Sequence, residues 1–243
     1  MAKKKEISKN DKEVIDSELA DAIMELPYPF YVGEKRFFIY PMTLGKTFLI
    51  GRAMSQMNIN KMLLVGNPYM EALRLCHDHK KEVSMVIAYH TFKTKEDLVD
   101  ADLISSRADF FAENIENEDL ASLFMVVNAP DKYNKFAKHL GIEEERKLQQ
   151  KVMKVKKDSD SMTFGGKSIY GSFIDFACER YGWTYDYVVW GISYINLQML
   201  MADTINTIYL SKEERKKVRI PKDRTKISGD DPRNQELLKQ LLT

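Results

Sequence analysis

The sequence is poor in cysteine and carries almost no excess of charge. Only Cys76 and Cys178 occur in 243 residues, so no disulfide framework follows and we expect a reducing, cytoplasmic compartment. Lys and Arg number 37 against 36 Asp and Glu, for a net charge of +1. This balance does not favour a protein whose whole surface binds nucleic acid or an anionic membrane.

Long apolar runs are missing as well. No run reaches the ~18 residues that a membrane span needs, so no membrane partner is expected. The lysine-rich residues 1–13 are not followed by an apolar segment and do not predict a secretory signal. The remaining composition, 44% hydrophobic and 30% charged, is typical of one or two globular domains with a sizeable core.

Apolar residues recur mostly at helical spacing, which predicts a mainly α protein. The exception is the aromatic and β-branched pair 30–32 and 36–40, separated by a Gly-Glu turn, which predicts one short N-terminal β-hairpin. Thr43 is placed to cap the helix that follows the hairpin, and Asn67, followed by proline, to cap a later one. Helices are predicted over 13–26, 43–57, 68–87, 118–128, 131–140, 143–157, 170–181 and 193–210. Another is predicted to begin at Asp100 or Asp102 and to include Phe110 and Phe111. The expected fold class is a helical domain with one hairpin, a minor α+β element, and flexible termini.

Composition shifts divide the chain into five segments. Lysines dominate residues 1–12, which are predicted to be a disordered basic arm. The small polar residues and glycine pair of 158–168 predict a hinge loop. This loop separates a hairpin-plus-helical domain, 13–157, from a C-terminal helical subdomain, 169–211. The remaining residues, 212–243, are predicted to be a basic, mobile tail.

The phases of the predicted helices also indicate a core. Apolar residues three or four positions apart lie on one helix face, and that face is expected to turn inwards. The side chains expected to be largely buried are Leu73, Val83, Ile87, Phe110, Phe124, Phe136, Phe173, Ile174, Leu197, Met201 and Ile205.

Phosphate-binding motifs are incomplete. Gly45-Lys46-Thr47 follows a strand-like segment and opens a helix, as a phosphate loop would, but the glycine required five residues earlier is Tyr40. Gly166-Lys167-Ser168 fails in the same way, because Ser161 occupies the required position. We expect a plain helix start at the first site and a flexible loop at the second, with no cofactor at either.

Metal and nucleophile patterns are incomplete too. Cys76 and His79 are three residues apart and can share a helix face, but no second close pair supplies the four donors of a zinc site. Cys178 has no local signature of a base or an oxyanion site and is expected to be a small buried hydrophobe. The sequence therefore predicts no metal, no catalytic residues and no enzyme.

An aromatic-rich corner lies at 181–194. One interpretation is a turn between helices packed by the two tryptophans. The other is a partner-binding surface, since Tyr and Trp combine a large contact area with a polar tip. Stacking on nucleic-acid bases is not favoured, because few basic residues are interleaved here. The residues predicted to bind a partner are Trp183, Tyr185, Tyr187, Trp190 and Tyr194.

Two segments resemble the tail assembly chaperones of tailed bacteriophages. Residues 30–45, FYVGEKRFFIYPMTLG, are similar to the opening of those proteins, where a hairpin on a Gly–acidic–Lys turn runs into a P-L-T-L-G helix start. Residues 174–190 resemble their C-terminal part, where a helix ending in R-[YF]-G-W is followed by an acidic residue and a short aromatic helix. Together the two segments cover under a quarter of the chain.

The resemblance implies a non-enzymatic protein of the infected bacterial cytoplasm. Such chaperones bind the long, aggregation-prone tape measure protein and help tail subunits polymerise, so the expected partners are a tape-measure-like protein and a tail tube subunit, besides self-association. One alternative is a structural component of the virion, in the tail, neck or baseplate. A second alternative is a small DNA-handling protein, which the balanced charge does not favour.

Overall fold

A computed structural model of the protein describes residues 9–128, 133–156, 168, 170–203, 208 and 210–218. Helices dominate these residues, with one two-stranded antiparallel hairpin near the N-terminus, which confirms the predicted fold class. The predicted flexible termini fall mostly at 1–8 and 219–243, outside the described residues. No helix in the described part of the chain combines the length and apolar character needed to cross a membrane.

The chain forms two compact units. The first comprises residues 1–143 and 164–204, and the second comprises residues 144–163 and 205–243. In chain order the elements are α1 (Lys9–Ile23), β1 (Tyr28–Val32), β2 (Lys35–Ile39), α2 (Leu44–Ser55), α3 (Lys61–Gly66), α4 (Pro68–Asp78), α5 (Lys80–His90), α6 (Lys95–Val99), α7 (Ala101–Asn114), α8 (Asn117–Val127), α9 (Tyr133–His139), α10 (Ile142–Lys156), π1 (Tyr170–Asp175), α11 (Phe176–Tyr181), π2 (Tyr187–Gly191), α12 (Tyr194–Ala202) and α13 (Lys212–Val218). The segments named π1 and π2 are π-helical.

The hairpin forms where the sequence predicts it. β1 pairs with β2 so that Phe30 lies opposite Phe37 and Val32 opposite Lys35. Gly33 in the turn has a φ of +58°, a conformation that glycine adopts without steric cost. The two paired phenylalanines pack onto Phe111 of α7, with ring centroids 5.9 and 5.0 Å away. The hairpin is therefore fixed by burial of its inner face.

Helix starts follow their capping residues. The Thr43 hydroxyl accepts a hydrogen bond from the Lys46 backbone N–H at 3.3 Å, and the Asn67 side chain accepts one from Met70 at 3.2 Å. The predicted helix over 68–87 is divided at His79, which has non-helical backbone angles. No glycine or proline marks that division, so the local sequence could not indicate it.

The main core of the first unit lies between α2, α4, α5, α7 and α8. Its helix α5 packs against α2, α7 and α8, and α4 packs against α8. Fully buried side chains on α5 include Val83, Val86 and Ile87, which lie three or four positions apart or adjacent on the inward face of the helix. Such burial stabilises each side chain by about 1.5–3 kcal/mol relative to an exposed position.

Most of the predicted core is confirmed. The buried members are Val83, Ile87, Phe124, Phe136, Ile174 and Leu197. The half-buried members are Leu73, Phe110, Phe173 and Met201, and Ile205 lies outside the described residues. Phe110 is half-buried, and the Lys35 ammonium lies over its ring, 4.5 Å from the centroid.

The predicted segments differ from the observed units. Residues 170–203 belong to the first unit with the N-terminal residues, whereas the sequence assigned 169–211 to a subdomain of its own. The predicted hinge at 158–168 lies outside the described residues except for Ser168. At the N-terminus, α1 begins at Lys9, within the predicted arm of 1–12.

In the second unit, α13 forms inside the segment that the sequence predicted to be mobile. The Ser211 hydroxyl accepts a hydrogen bond from the Glu214 N–H at 3.2 Å, and the Glu214 carboxylate accepts one from the Ser211 N–H at 2.7 Å. This reciprocal capping box satisfies two backbone donors that the helix cannot pair internally. The prediction of a mobile tail did not take this Ser-x-x-Glu pattern into account.

Candidate functional site

The two segments that carry the family resemblance pack against each other, although about 130 residues separate them in the chain. Thr43 and Ser193 form an isolated antiparallel bridge. Next to it, the Tyr194 backbone N–H donates to the Met42 carbonyl at 2.7 Å. Leu44, which opens α2, is fully buried in a cluster with residues of π1, α11, π2 and α12. The start of α2 is therefore part of the same small core as the aromatic corner.

A close approach of Trp190 to the backbone defines this junction. The indole of Trp190 lies directly over Gly45, so that a Cβ at Gly45 would overlap the ring. The Tyr187 ring stands in the same way against Gly191. Glycine is needed at both positions because its hydrogen atom leaves room for the ring, whereas a Cβ would overlap it.

Glu25 ties the end of α1 to the start of α12. Its carboxylate oxygen Oε1 accepts hydrogen bonds from the Ser193 N–H at 2.7 Å and from the Asn196 side-chain amide at 3.1 Å. Glu25 has a φ of +55°, a left-handed conformation that is uncommon for a residue with a Cβ. We attribute this conformation to the two hydrogen bonds, which hold the carboxylate against α12.

The aromatic corner is a chain of ring contacts. Trp183 stacks on Tyr181 with centroids 4.7 Å apart and meets the Tyr187 ring edge-on at 5.2 Å. Tyr194 contacts Phe173 at 5.6 Å. These contacts support the interpretation of a packed turn for part of the corner.

The five predicted partner-binding residues differ in exposure. Trp183, Trp190 and Tyr194 are half-buried, whereas 56% of Tyr185 and 45% of Tyr187 is exposed. Two rings are thus accessible beside three that are largely engaged in packing. Whether these residues bind a partner stays a prediction.

A groove of about 600 Å³ runs beside the corner, within the first unit. Tyr187 and Trp190 line it from π2, and Pro27, Tyr40 and Pro41 line it from the hairpin ends. We call it the corner groove. Its charged side chains are Glu25, Lys46, Lys93, Lys95, Glu96 and Asp186.

Lys46 is the unusual side chain of the corner groove. It lines the groove with only 1% of its surface exposed, and its ammonium group donates one hydrogen bond, to the Pro41 carbonyl at 3.3 Å. Burial, followed by the positive charge of Lys93, lowers the pKa of Lys46 to about 7. Instead of lining a phosphate loop, the Gly45-Lys46-Thr47 motif therefore places a buried amine at the groove.

His90 lies deeper, at the end of α5. It is 3% exposed, and within the described residues neither ring nitrogen has a hydrogen-bond partner. Burial, followed by the charge of Lys46, lowers the pKa of His90 to about 3. The imidazole is therefore neutral at physiological pH and adds no positive charge to the groove.

The other candidate residues do not assemble into a site. Cys76 is fully buried, and burial raises the pKa of its thiol to about 11, whereas His77 is exposed on another face of α4. Among the described residues, no three His, Cys, Asp or Glu side chains are placed to hold a metal ion. Cys178 is half-buried against the small core of the aromatic corner.

Sequence reasoning missed the charged side of this site. The sequence presents Lys46 only as part of an incomplete phosphate loop, and no motif marks Lys93, Lys95 or Glu25. The sequence signal for Lys46 was its position directly after a glycine, at the start of a largely apolar helix. No family model, curated protein or solved structure matches the chain.

Proposed function

We propose that the protein is a non-enzymatic tail assembly chaperone of a tailed bacteriophage, which holds a segment of a tape-measure-like protein in the corner groove. It acts in the cytoplasm of the infected bacterium, where tail tube subunits polymerise around that partner. Binding draws its free energy from burial of apolar and aromatic surface, without nucleotide hydrolysis.

One observation carries this proposal. The two segments that resemble the family, 30–45 and 174–190, meet through Leu44 and Trp190 and line one groove together. A resemblance confined to two unrelated surfaces would support a shared binding function less well. The accessible ring of Tyr187 lines this groove, and the exposed Tyr185 lies two residues before it in the chain. Exposed aromatic side chains of this type dominate many protein interfaces.

The test is co-purification of tail proteins from infected cells. Tagged full-length protein is expressed during infection, and bound tail proteins are quantified by mass spectrometry for wild type, Tyr185→Ala and Tyr187→Ala. We expect at least one variant to lose about 2 kcal/mol of binding free energy, because a hot-spot ring is truncated. Circular dichroism should show the same helical content in all three proteins.

Tyr31→Ala is the matched control. Tyr31 lies on β1, is 65% exposed and does not line the corner groove. Its variant should recover the tape-measure-like protein as wild type does. Undiminished recovery by the groove variant Tyr187→Ala, or equal loss by Tyr31→Ala, would contradict the assignment of the groove.

A further inference from the structure

The segment 61–70, which comprises α3 and the first residues of α4, presents a run of apolar side chains to solvent. α3 contains four consecutive large apolar residues, 62–65, and none of the six residues that the structure describes in this helix is buried. A helix that is apolar on all sides normally lies inside a core. We call this surface the α3 patch; its exposed side chains are Met62 and Val65, each at 86%, with Leu64, Tyr69 and Met70.

Polar contacts beneath the α3 patch hold it in place. Glu71 of α4 is fully buried, and its carboxylate accepts hydrogen bonds from the Asn60 backbone N–H and from the Arg74 guanidinium, both at 2.7 Å. Arg74 also donates to the Asn58 carbonyl at 2.8 Å. The Asn60 side chain in turn caps α3 by accepting from two backbone N–H groups of its first turn. Because the helix is already fixed, little ordering is required when another surface packs against it.

The area of the α3 patch is comparable with one side of a protein interface. At their observed exposures, its five side chains present on the order of 600 Å² of surface, the upper end for the largest apolar patch of a typical monomer. An interface of standard size takes about 800 Å² from each partner. The exposed neighbours Lys61, Asn67 and Pro68 supply much of the difference. The segment 61–70 therefore has nearly the area that a stable dimer needs.

The charge of the segment favours a second copy of the chain as the occupant. Residues 62–70 contain no Asp, Glu, Lys or Arg, whereas these residue types make up 30% of the whole chain. Near a two-fold axis each side chain faces its own copy, so a charge there would meet the same charge. Interfaces between identical chains are also more apolar than those between different proteins that associate transiently. An uncharged apolar surface is therefore suited to pairing with itself.

A membrane surface suits the α3 patch less well. A helix that lies on a bilayer carries several Lys or Arg residues on its polar face. The segment 61–70 has one, Lys61, and the next basic residue along the chain, Arg74, is paired with Glu71 and Asp78. The electrostatic part of membrane binding would thus be small.

We propose that the protein forms a two-fold symmetric dimer in which the α3 patch of one copy packs against the α3 patch of the other. Met62 and Val65, the most exposed apolar side chains, lie at the centre of this interface. The interface is separate from the corner groove, whose lining residues lie outside 61–70. The inference goes beyond the proposed function and does not depend on it.

Sedimentation velocity of the full-length protein over a range of concentrations tests the dimer. Wild type should change from monomer to dimer in the micromolar range. Val65→Lys should weaken dimerisation by about 10-fold or more, because both copies bring a charge into the apolar interface. Met62→Glu is the second variant and should act in the same way. Both side chains are exposed in the monomer, so circular dichroism should show unchanged helical content.

Val99→Lys is the matched control. Val99 ends α6, is 59% exposed and lies outside the segment 61–70. The substitution introduces the same charge at an exposed valine of the same unit. Dimerisation of this variant should stay within about two-fold of wild type, as expected for a surface substitution away from an interface.

Three results would overturn the proposal. The first is a wild type that stays monomeric at about 100 µM, a concentration at which an interface of this area should form. The second is equal dimerisation by wild type and Val65→Lys. The third is a loss of thermal stability in Val65→Lys at concentrations where wild type is monomeric, which would show that another part of the same chain covers the patch.

Co-purification from infected cells separates a second copy from a different partner. If wild type is monomeric and Met62→Glu loses bound tail proteins, the α3 patch binds another protein and the dimer is wrong. The test of the corner groove by Tyr187→Ala is unaffected by this outcome, because Tyr187 lies outside the patch. A dimer that recovers no tape-measure-like protein would leave the interface standing and contradict the proposed function.

Discussion

At the residue scale, Lys46 shows how tertiary packing changes an ordinary side chain. A lysine at the third position of a helix is usually solvated, and its amine keeps a pKa near 10.5. Here α2 is covered by π2 and by the end of α5, so the amine is buried. The cost of a buried charge appears as the lowered pKa.

The pH dependence of folding tests this burial. In the folded protein the pKa of Lys46 is about 7, against 10.5 for an ordinary lysine amine. Between these values the unfolded state binds a proton that the folded state does not, so stability rises with pH. From pH 7 to pH 9, wild type should gain roughly 1 kcal/mol per pH unit relative to Lys46→Met in urea denaturation.

Lys138→Met supplies the comparison for this measurement. Lys138 is exposed on α9 and should show no such relative gain over the same pH range. Parallel stability curves for wild type and Lys46→Met would mean that the amine is solvated in the folded protein.

At the element scale, the N-terminus of α2 is the point where distant parts of the chain meet. Its capping residue Thr43 is paired with Ser193, and its first buried residue Leu44 enters the small core of the aromatic corner. The next residue, Gly45, provides the space for Trp190. Three successive residues of one helix start thus hold the C-terminal elements of the first unit in place.

Substitution of glycine on α2 separates packing from helix propensity. Gly45→Ala should cost about 1–3 kcal/mol of unfolding free energy, because its Cβ would overlap the Trp190 ring. Gly51→Ala lies on the same helix with no atom within 4 Å of the added Cβ. It should stabilise the protein by roughly 0.5–1 kcal/mol through helix propensity alone.

Thermal or urea unfolding of the two variants measures the change in unfolding free energy directly. Tryptophan fluorescence should change only for Gly45→Ala. A stabilising effect at Gly45 would show that Trp190 does not pack against the start of α2.

At the scale of the whole molecule, the proposed chaperone role and the structural alternative differ in whether the protein remains in the finished particle. A chaperone leaves its partner when the tail is complete, whereas a structural component stays at a fixed copy number. Both would be expected to bind tail proteins during assembly. Only the composition of the finished particle separates them.

Mass spectrometry of purified virions, beside the lysate of infected cells, makes that separation. We expect the protein to be abundant in the lysate and absent from the particles. Its presence in particles at a fixed ratio to the tail tube subunit would favour the structural alternative. Salt-dependent binding to DNA would instead favour the DNA-handling alternative.

Much of the local structure was determined by the sequence itself. The Gly33 turn, the caps Thr43 and Asn67, and the left-handed glycines 141 and 182 set the hairpin and several helix ends, because each depends on residues a few positions apart. The exposure of Tyr185 and Tyr187 could also be predicted from the sequence, since a short corner cannot bury so many rings.

Only the tertiary structure decided which of these pieces form a site. The packing of Trp190 on Gly45 and the burial of Lys46 both depend on residues far apart in the chain. No local pattern records such contacts, because burial is set by what another segment covers. The sequence contains the aromatic residues and the lysine at separate positions, and the packing of α2 against π2 brings them together in one groove.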